Sequence, residues 1–129
     1  MKILRNPLLW KILFYLWIIA IIVLTSLPYS GEVEKYATSE FRWDYLQHFI
    51  FYAGLSVLFY LAYGSSIGKE NRKRQWLFLL AGFLFATLTE VHQLIIPGRA
   101  FNPVDLGLNI TGILIGFPIG LFLHEKLIY

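Results

Sequence analysis

The sequence predicts an all-α membrane protein, a four-helix transmembrane bundle. Three observations predict it. The 129 residues are 57% hydrophobic and only 15% charged, with a mean hydropathy of +0.61, too little polar surface to cover a water-soluble core. Apolar segments long enough to cross a bilayer recur at 8–27, 45–63, 76–96 and 104–124, against the roughly 20 residues that a hydrocarbon core needs. The linkers between them are too short for a separate soluble domain, so 1–129 is read as one membrane domain.

The first segment is longer than the core of a secretory signal, and SLPYSGE after it offers no small-x-small cleavage site, so it is expected to be retained. The second begins beside Asp44 and is expected to end near Tyr63, which places Gly64 in the following loop, GSSIGKENRKRQ. The third stops at Pro97. The fourth starts at Asn102-Pro103-Val104-Asp105, with Asn as cap, Pro in the first position and an acid in the third. Trp10, Trp17, Trp43, Trp76 and several tyrosines near segment ends suit an interfacial aromatic belt.

Charge sets the expected topology. Lys2, Arg5, Lys11, Lys69, Arg72, Lys73, Arg74 and Lys126 fall with the termini and the second loop, and only Lys35, Arg42 and Arg99 fall opposite. Eight against three places both termini and the basic loop in the cytoplasm. The net charge of +3 is thereby accounted for by topology and contact with membrane lipids. No aromatic residues alternate with the basic ones, so nucleic acid is not expected as a partner. The outer loop at 28–43 carries Glu32, Glu34 and Glu40 against Lys35 and Arg42 and reads as a polar connector. The absence of cysteine excludes disulfides and thiol chemistry.

The informative residues are the polar ones inside apolar segments, which are costly at that depth and are kept when they pair, pack or act. Asp44, His48 and Tyr52 are spaced by four, Glu90 and Gln93 by three, and Asp105, Asn109, Gly112 and Gly116 share a stripe. All but the glycines and Tyr52 belong to the outer half of the membrane, below the turn PGRAFNP with Arg99. A shared outer pocket is expected. Glu90 and His48 are its candidate acid–base residues, and Asp44, Tyr52, Gln93, Arg99, Asp105 and Asn109 its candidate binding residues.

Each has a structural alternative. Asp44 and Asp105 sit where helix-start acids sit, Asn109 and Gln93 suit interhelical hydrogen bonding, and His92 lies off the stripe as a packing or interfacial residue. Gly112, Gly116 and Gly120 form a GxxxGxxxG ridge for close helix packing. Pro118 bends the fourth helix. The carboxylates and His48 offer hard ligands, but there is no HExxH and no phosphate-binding glycine loop, so no metal and no cofactor is expected. Ser56 lies too deep for a serine triad, and Thr89 and Thr111 have no motif around them.

The combined pattern Asp44-x3-His48-x3-Tyr52, Glu90-x2-Gln93, Pro97-Gly98-Arg99, Asp105-x3-Asn109-x2-Gly112-x3-Gly116 resembles the VanZ-like family. These are small bacterial membrane proteins named for an accessory protein that lowers susceptibility to teicoplanin. Family members often carry Lys directly after the first Asp, where this chain has Tyr45. The resemblance implies the bacterial cytoplasmic membrane and a role in the cell envelope, without a mechanism. Three readings follow: a pocket for a lipid-linked cell-wall component or lipoglycopeptide, an intramembrane enzyme acting on such a lipid through His48 or Glu90, or a structural bundle. The sequence sets no oligomeric state.

Overall fold

The computed structural model describes residues 3–28 and 43–128, and the connector between the first two helices, with its acidic residues, lies outside them. The described residues form four long helices: α1 Pro7–Ser26, α2 Trp43–Ile67, α3 Arg72–His92 and α4 Pro103–Ile128. All four are long and apolar enough to cross a membrane.

Local chemistry sets the helix ends. Asn6 Oδ1 accepts from the Leu8 N–H at 3.0 Å ahead of Pro7, which fixes the start of α1. α2 runs a full turn beyond its expected end and stops at Gly68, whose φ of 75° a side chain would resist. Gly64 is therefore a buried helix residue and not a loop residue. A Cβ there would lie 2.6 Å from the His124 ring. Asn71 caps α3 by accepting from the Arg74 N–H at 3.1 Å.

The other end of α3 is tighter than expected. It leaves α-helical geometry after His92 and closes with a 3-10 turn, Gln93–Ile95. Pro97 holds Ile96 extended (φ −92°, ψ 126°). A type II turn follows, with Gly98 at φ 77° and the Arg99 N–H donating to Ile96 O at 3.0 Å. Asn102 then caps α4, its Oδ1 accepting from the Val104 N–H at 2.9 Å.

α2 and α4 run parallel and share the most extensive contact in the molecule. The glycine ridge of α4 makes it possible. A Cβ on Gly112 would lie 2.5 Å from Phe49 O, one on Gly116 would fall on the Ala53 backbone, and one on Gly120 would lie 3.0 Å from Tyr60 Cβ. Backbones this close gain dispersion contacts that lipid cannot match. α3 leans mainly on α4 and touches α2 where Phe78 stacks on Phe59 at a centroid distance of 3.8 Å. α1 packs mainly on α2 and buries only Ile21 and Thr25. Trp17 is a packing residue in mid-helix and no part of an aromatic belt: its indole lies against Gly54 and donates to Phe51 O at 2.8 Å.

Candidate functional site

At the ends of α2 and α4 nearest the PGRAFNP turn, three helices pool their polar residues. His48 comes from α2, Glu90 from the last turn of α3, and Asp105 and Asn109 from the first turns of α4. Gln93 joins from the 3-10 turn. Glu90 and Asn109 are fully buried; Gln93, Asp105 and His48 nearly so.

The hydrogen bonds fix the orientation of the side chains. Glu90 Oε1 accepts from Asn109 Nδ2 at 3.1 Å and from Gln93 Nε2 at 3.4 Å. Asn109 must therefore turn its carbonyl oxygen the other way, where His48 Nδ1 lies at 3.0 Å and donates. Nε2 lies 3.7 Å from Asp105 Oδ2, and Nδ1 also lies 3.6 Å from Glu90 Oε1. His48 thus stands between two carboxylates from two different helices, with Asn109 bridging imidazole and carboxylate.

Glu90 Oε2 stands outside this scheme. The Asn102 backbone N–H faces the Glu90 carboxyl group, and Oε2 is buried without a well-formed hydrogen bond among the described residues. A buried acceptor left without a donor costs about 1–3 kcal/mol. The cluster leaves that oxygen without a well-formed partner.

The other expected site residues lie around this centre. Tyr52 is one turn deeper on α2 and donates to Thr89 Oγ1 at 2.5 Å, while Thr89 donates to Ala86 O at 2.9 Å. Thr89 was not a candidate from sequence. Its place beside Glu90, on the buried side of α3, is the signal that would have found it. Asp44 lies at the half-buried start of α2, its Oδ1 accepting from the Tyr45 N–H at 3.0 Å.

Arg99 extends toward α1. Its Nε donates to Leu27 O at 3.2 Å and its Nη2 to Leu24 O at 3.4 Å, the carbonyls that the end of α1 leaves over. His92 works beside it: its Nε2 lies 3.0 Å from Ser26 Oγ, whose own proton goes to Ile22 O at 2.6 Å. Two residues flanking the cluster in sequence therefore fasten the end of α1. Among the described residues no group of three or more His, Cys, Asp or Glu is arranged to hold a metal ion.

A VanZ/LLP1 family model matches residues 12–124, which reaches into all four helices and covers every residue of the cluster. The chain belongs to the VanZ/LLP1 family. No curated protein and no solved structure matches it at a significant level. It is a VanZ-like protein with four candidate membrane-spanning helices, and His48, Glu90, Gln93, Asp105 and Asn109 of the cluster all belong to the pattern that carried the resemblance.

Proposed function

We propose that this VanZ-like protein binds the polar head of an amphiphilic envelope component or lipoglycopeptide at the cluster around Glu90, and thereby lowers susceptibility to teicoplanin. The observation that carries the reading is Glu90 Oε2, a fully buried carboxyl oxygen without a well-formed hydrogen bond among the described residues. An amide N–H or a hydroxyl of a ligand head would supply it. Lipoglycopeptides and lipid-linked cell-wall precursors are rich in both. Asn109 and Gln93 hold the carboxylate in position, Asp105 and His48 offer further polar contacts, and Tyr52 closes the floor. Asp44 stands at the mouth. Arg99, fastened to the end of α1, closes the site and meets an anionic group of the ligand by exchanging the Leu24 and Leu27 carbonyls for it, a geometry its planar fork suits.

The protein is assigned to the bacterial cytoplasmic membrane, with both termini and the basic turn in the cytoplasm and the cluster in the outer half. Eight basic residues against three support that orientation. A cysteine introduced at Ala100 should react with an impermeant thiol reagent applied outside, and one at Arg72 should not. The reverse pattern would refute both the orientation and the outer site.

A second reading is favoured by a separate observation, the placement of His48 at 3.6 and 3.7 Å from two carboxylates. That arrangement suits a general acid–base group in an enzyme acting on a lipid-linked substrate. The readings part at His48 and Arg99. Teicoplanin susceptibility of a bacterial host expressing the protein is the assay, with Glu90→Gln, His48→Ala, Arg99→Ala and Arg99→Lys compared at equal membrane levels. Binding predicts loss in Glu90→Gln and Arg99→Ala and partial function in Arg99→Lys. Catalysis predicts near-complete loss in His48→Ala and Arg99→Lys alike. Full function in all four would place the site elsewhere.

A further inference from the structure

At the opposite end of the same two helices lies a second polar site, with a different character. A pocket of about 100 Å³ opens where α2 and α4 end, lined by Tyr60, Gly64, Gly68, Lys69, Leu121, His124 and Glu125. Gly64 lets the His124 ring lie against α2, where its Nε2 is 3.1 Å from Ser65 Oγ. Gly68 adds no wall: a Cβ on it would meet nothing within 4 Å. Tyr60 lines the inner part, and its buried hydroxyl has no hydrogen-bond partner among the described residues. At the rim Lys69 Nζ and Glu125 Oε1 pair at 2.6 Å, both well exposed.

The lining is mixed in charge, which selects the ligand. A simple anion would meet Lys69 but also the Glu125 carboxylate and the C-terminal ends of two helices, which repel negative charge. A simple cation would meet Lys69. A group carrying both charges a few bonds apart satisfies each side, because it replaces the Lys69–Glu125 pair with two pairs. That exchange is easy, since an exposed ion pair of this kind holds together only weakly. The pocket lies at the end of the apolar spans, where lipid head groups stand, beside the basic turn with Arg72, Lys73 and Arg74.

We propose that this pocket binds a phospholipid head group bearing both a primary ammonium and a phosphate, the phosphoethanolamine class. The aminoethyl arm enters the pocket, whose volume is about that of three water molecules at roughly 30 Å³ each. Its ammonium donates to Glu125 and to the Tyr60 hydroxyl oxygen, which supplies the partner that oxygen lacks. The phosphate stays at the rim on Lys69. A trimethylated head group has no N–H to donate and is too bulky for the arm's place.

Purified protein in nanodiscs of phosphatidylcholine, doped with phosphatidylethanolamine or with phosphatidylglycerol, tests this by native mass spectrometry of retained lipid. Wild type should retain phosphatidylethanolamine over phosphatidylcholine by roughly tenfold, the scale of one charge-assisted hydrogen bond. Glu125→Gln and Tyr60→Phe should each erode that preference, while Glu70→Gln, a nearby acid that does not line the pocket, should leave it unchanged. Tyr60→Phe keeps the ring contacts with Phe59, Phe78 and Phe117, so its folding serves as its own control. Soluble phosphoethanolamine should compete only weakly, since the acyl chains anchor the head group. Equal retention of all three lipids would overturn the proposal, as would a preference for phosphatidylglycerol or a Glu70→Gln effect equal to that of Glu125→Gln. Loss of the phosphatidylethanolamine preference in Glu125→Gln with teicoplanin binding unchanged would separate this site from the outer one, so the two stand or fall separately.

Discussion

The two ends of the α2–α4 seam are built from the same kinds of residue and behave differently. At one end His48, Asp105 and Asn109 meet a third helix, which brings Glu90 and Gln93, and the result is a closed cluster with its carboxylate fully buried. At the other end His124, Ser65, Lys69 and Glu125 involve only α2, α4 and the turn after α2, and a pocket opens beside them. Between the ends, Gly112, Gly116 and Gly120 bring the two backbones together. The comparison shows what the third helix contributes. A polar group that two helices would leave partly hydrated is buried outright when α3 covers it, and a missing hydrogen bond then becomes costly.

The largest effect is expected from prising the seam itself apart. Gly116→Leu drives a branched side chain into the Ala53 backbone and should cost about 3 kcal/mol or more, read as a steep drop in melting temperature in detergent. Gly107→Leu on the same helix, where a Cβ meets nothing within 4 Å, should melt close to wild type. Gly64→Leu should resemble Gly116→Leu, because His124 occupies the space its side chain needs. Similar melting of Gly116→Leu and Gly107→Leu would remove the seam from the account.

Next comes the closed end. Asn109→Leu removes the bridge between His48 and Glu90 and leaves both without their best partner, at a cost of about 2–3 kcal/mol. At the open end, His124→Leu should cost about 1 kcal/mol or less, since Ser65, its hydrogen-bond partner there, is exposed and finds water instead. Equal losses at the two ends would mean that burial by α3 adds nothing. A similarly small effect belongs to Tyr52→Phe. It deletes one hydrogen bond to Thr89, which keeps its own bond to Ala86 O, and should lower stability by about 1 kcal/mol with binding retained.

The sequence made the closed end legible and the open end not, for a physical reason. His48, Glu90, Asp105 and Asn109 are too polar for their depth, so their presence on three helices already announced a meeting point. The spacing of four that begins Asp44, His48, Tyr52 continues through Ser56, Tyr60 and Gly64. Those later members are ordinary in an apolar span, and the stripe fades into the background where it turns toward the pocket. Gly64 was misplaced for a related reason: the serines after it look like a loop, while the helix continues to Ile67 and ends only at the positive φ of Gly68. Trp17 looked interfacial by residue type, yet a glycine on the neighbouring helix at Gly54 gave its ring a flat seat. Arg99 was placed correctly in the turn, but no periodicity indicates that α1 ends within its reach.

The central claim is that Glu90 waits for a donor from a ligand, and binding measured directly on the folded protein tests it. Wild type and Glu90→Gln, reconstituted in nanodiscs and matched by melting curve, would be titrated with a fluorescent teicoplanin. The substitution keeps the size and shape of the side chain while removing the carboxylate. Glu90→Gln, whose carbonyl oxygen can still accept from Asn109 and Gln93, should stay folded and bind roughly tenfold more weakly, the scale of one hydrogen bond to a charged group. Unchanged binding in a protein that melts normally would contradict it.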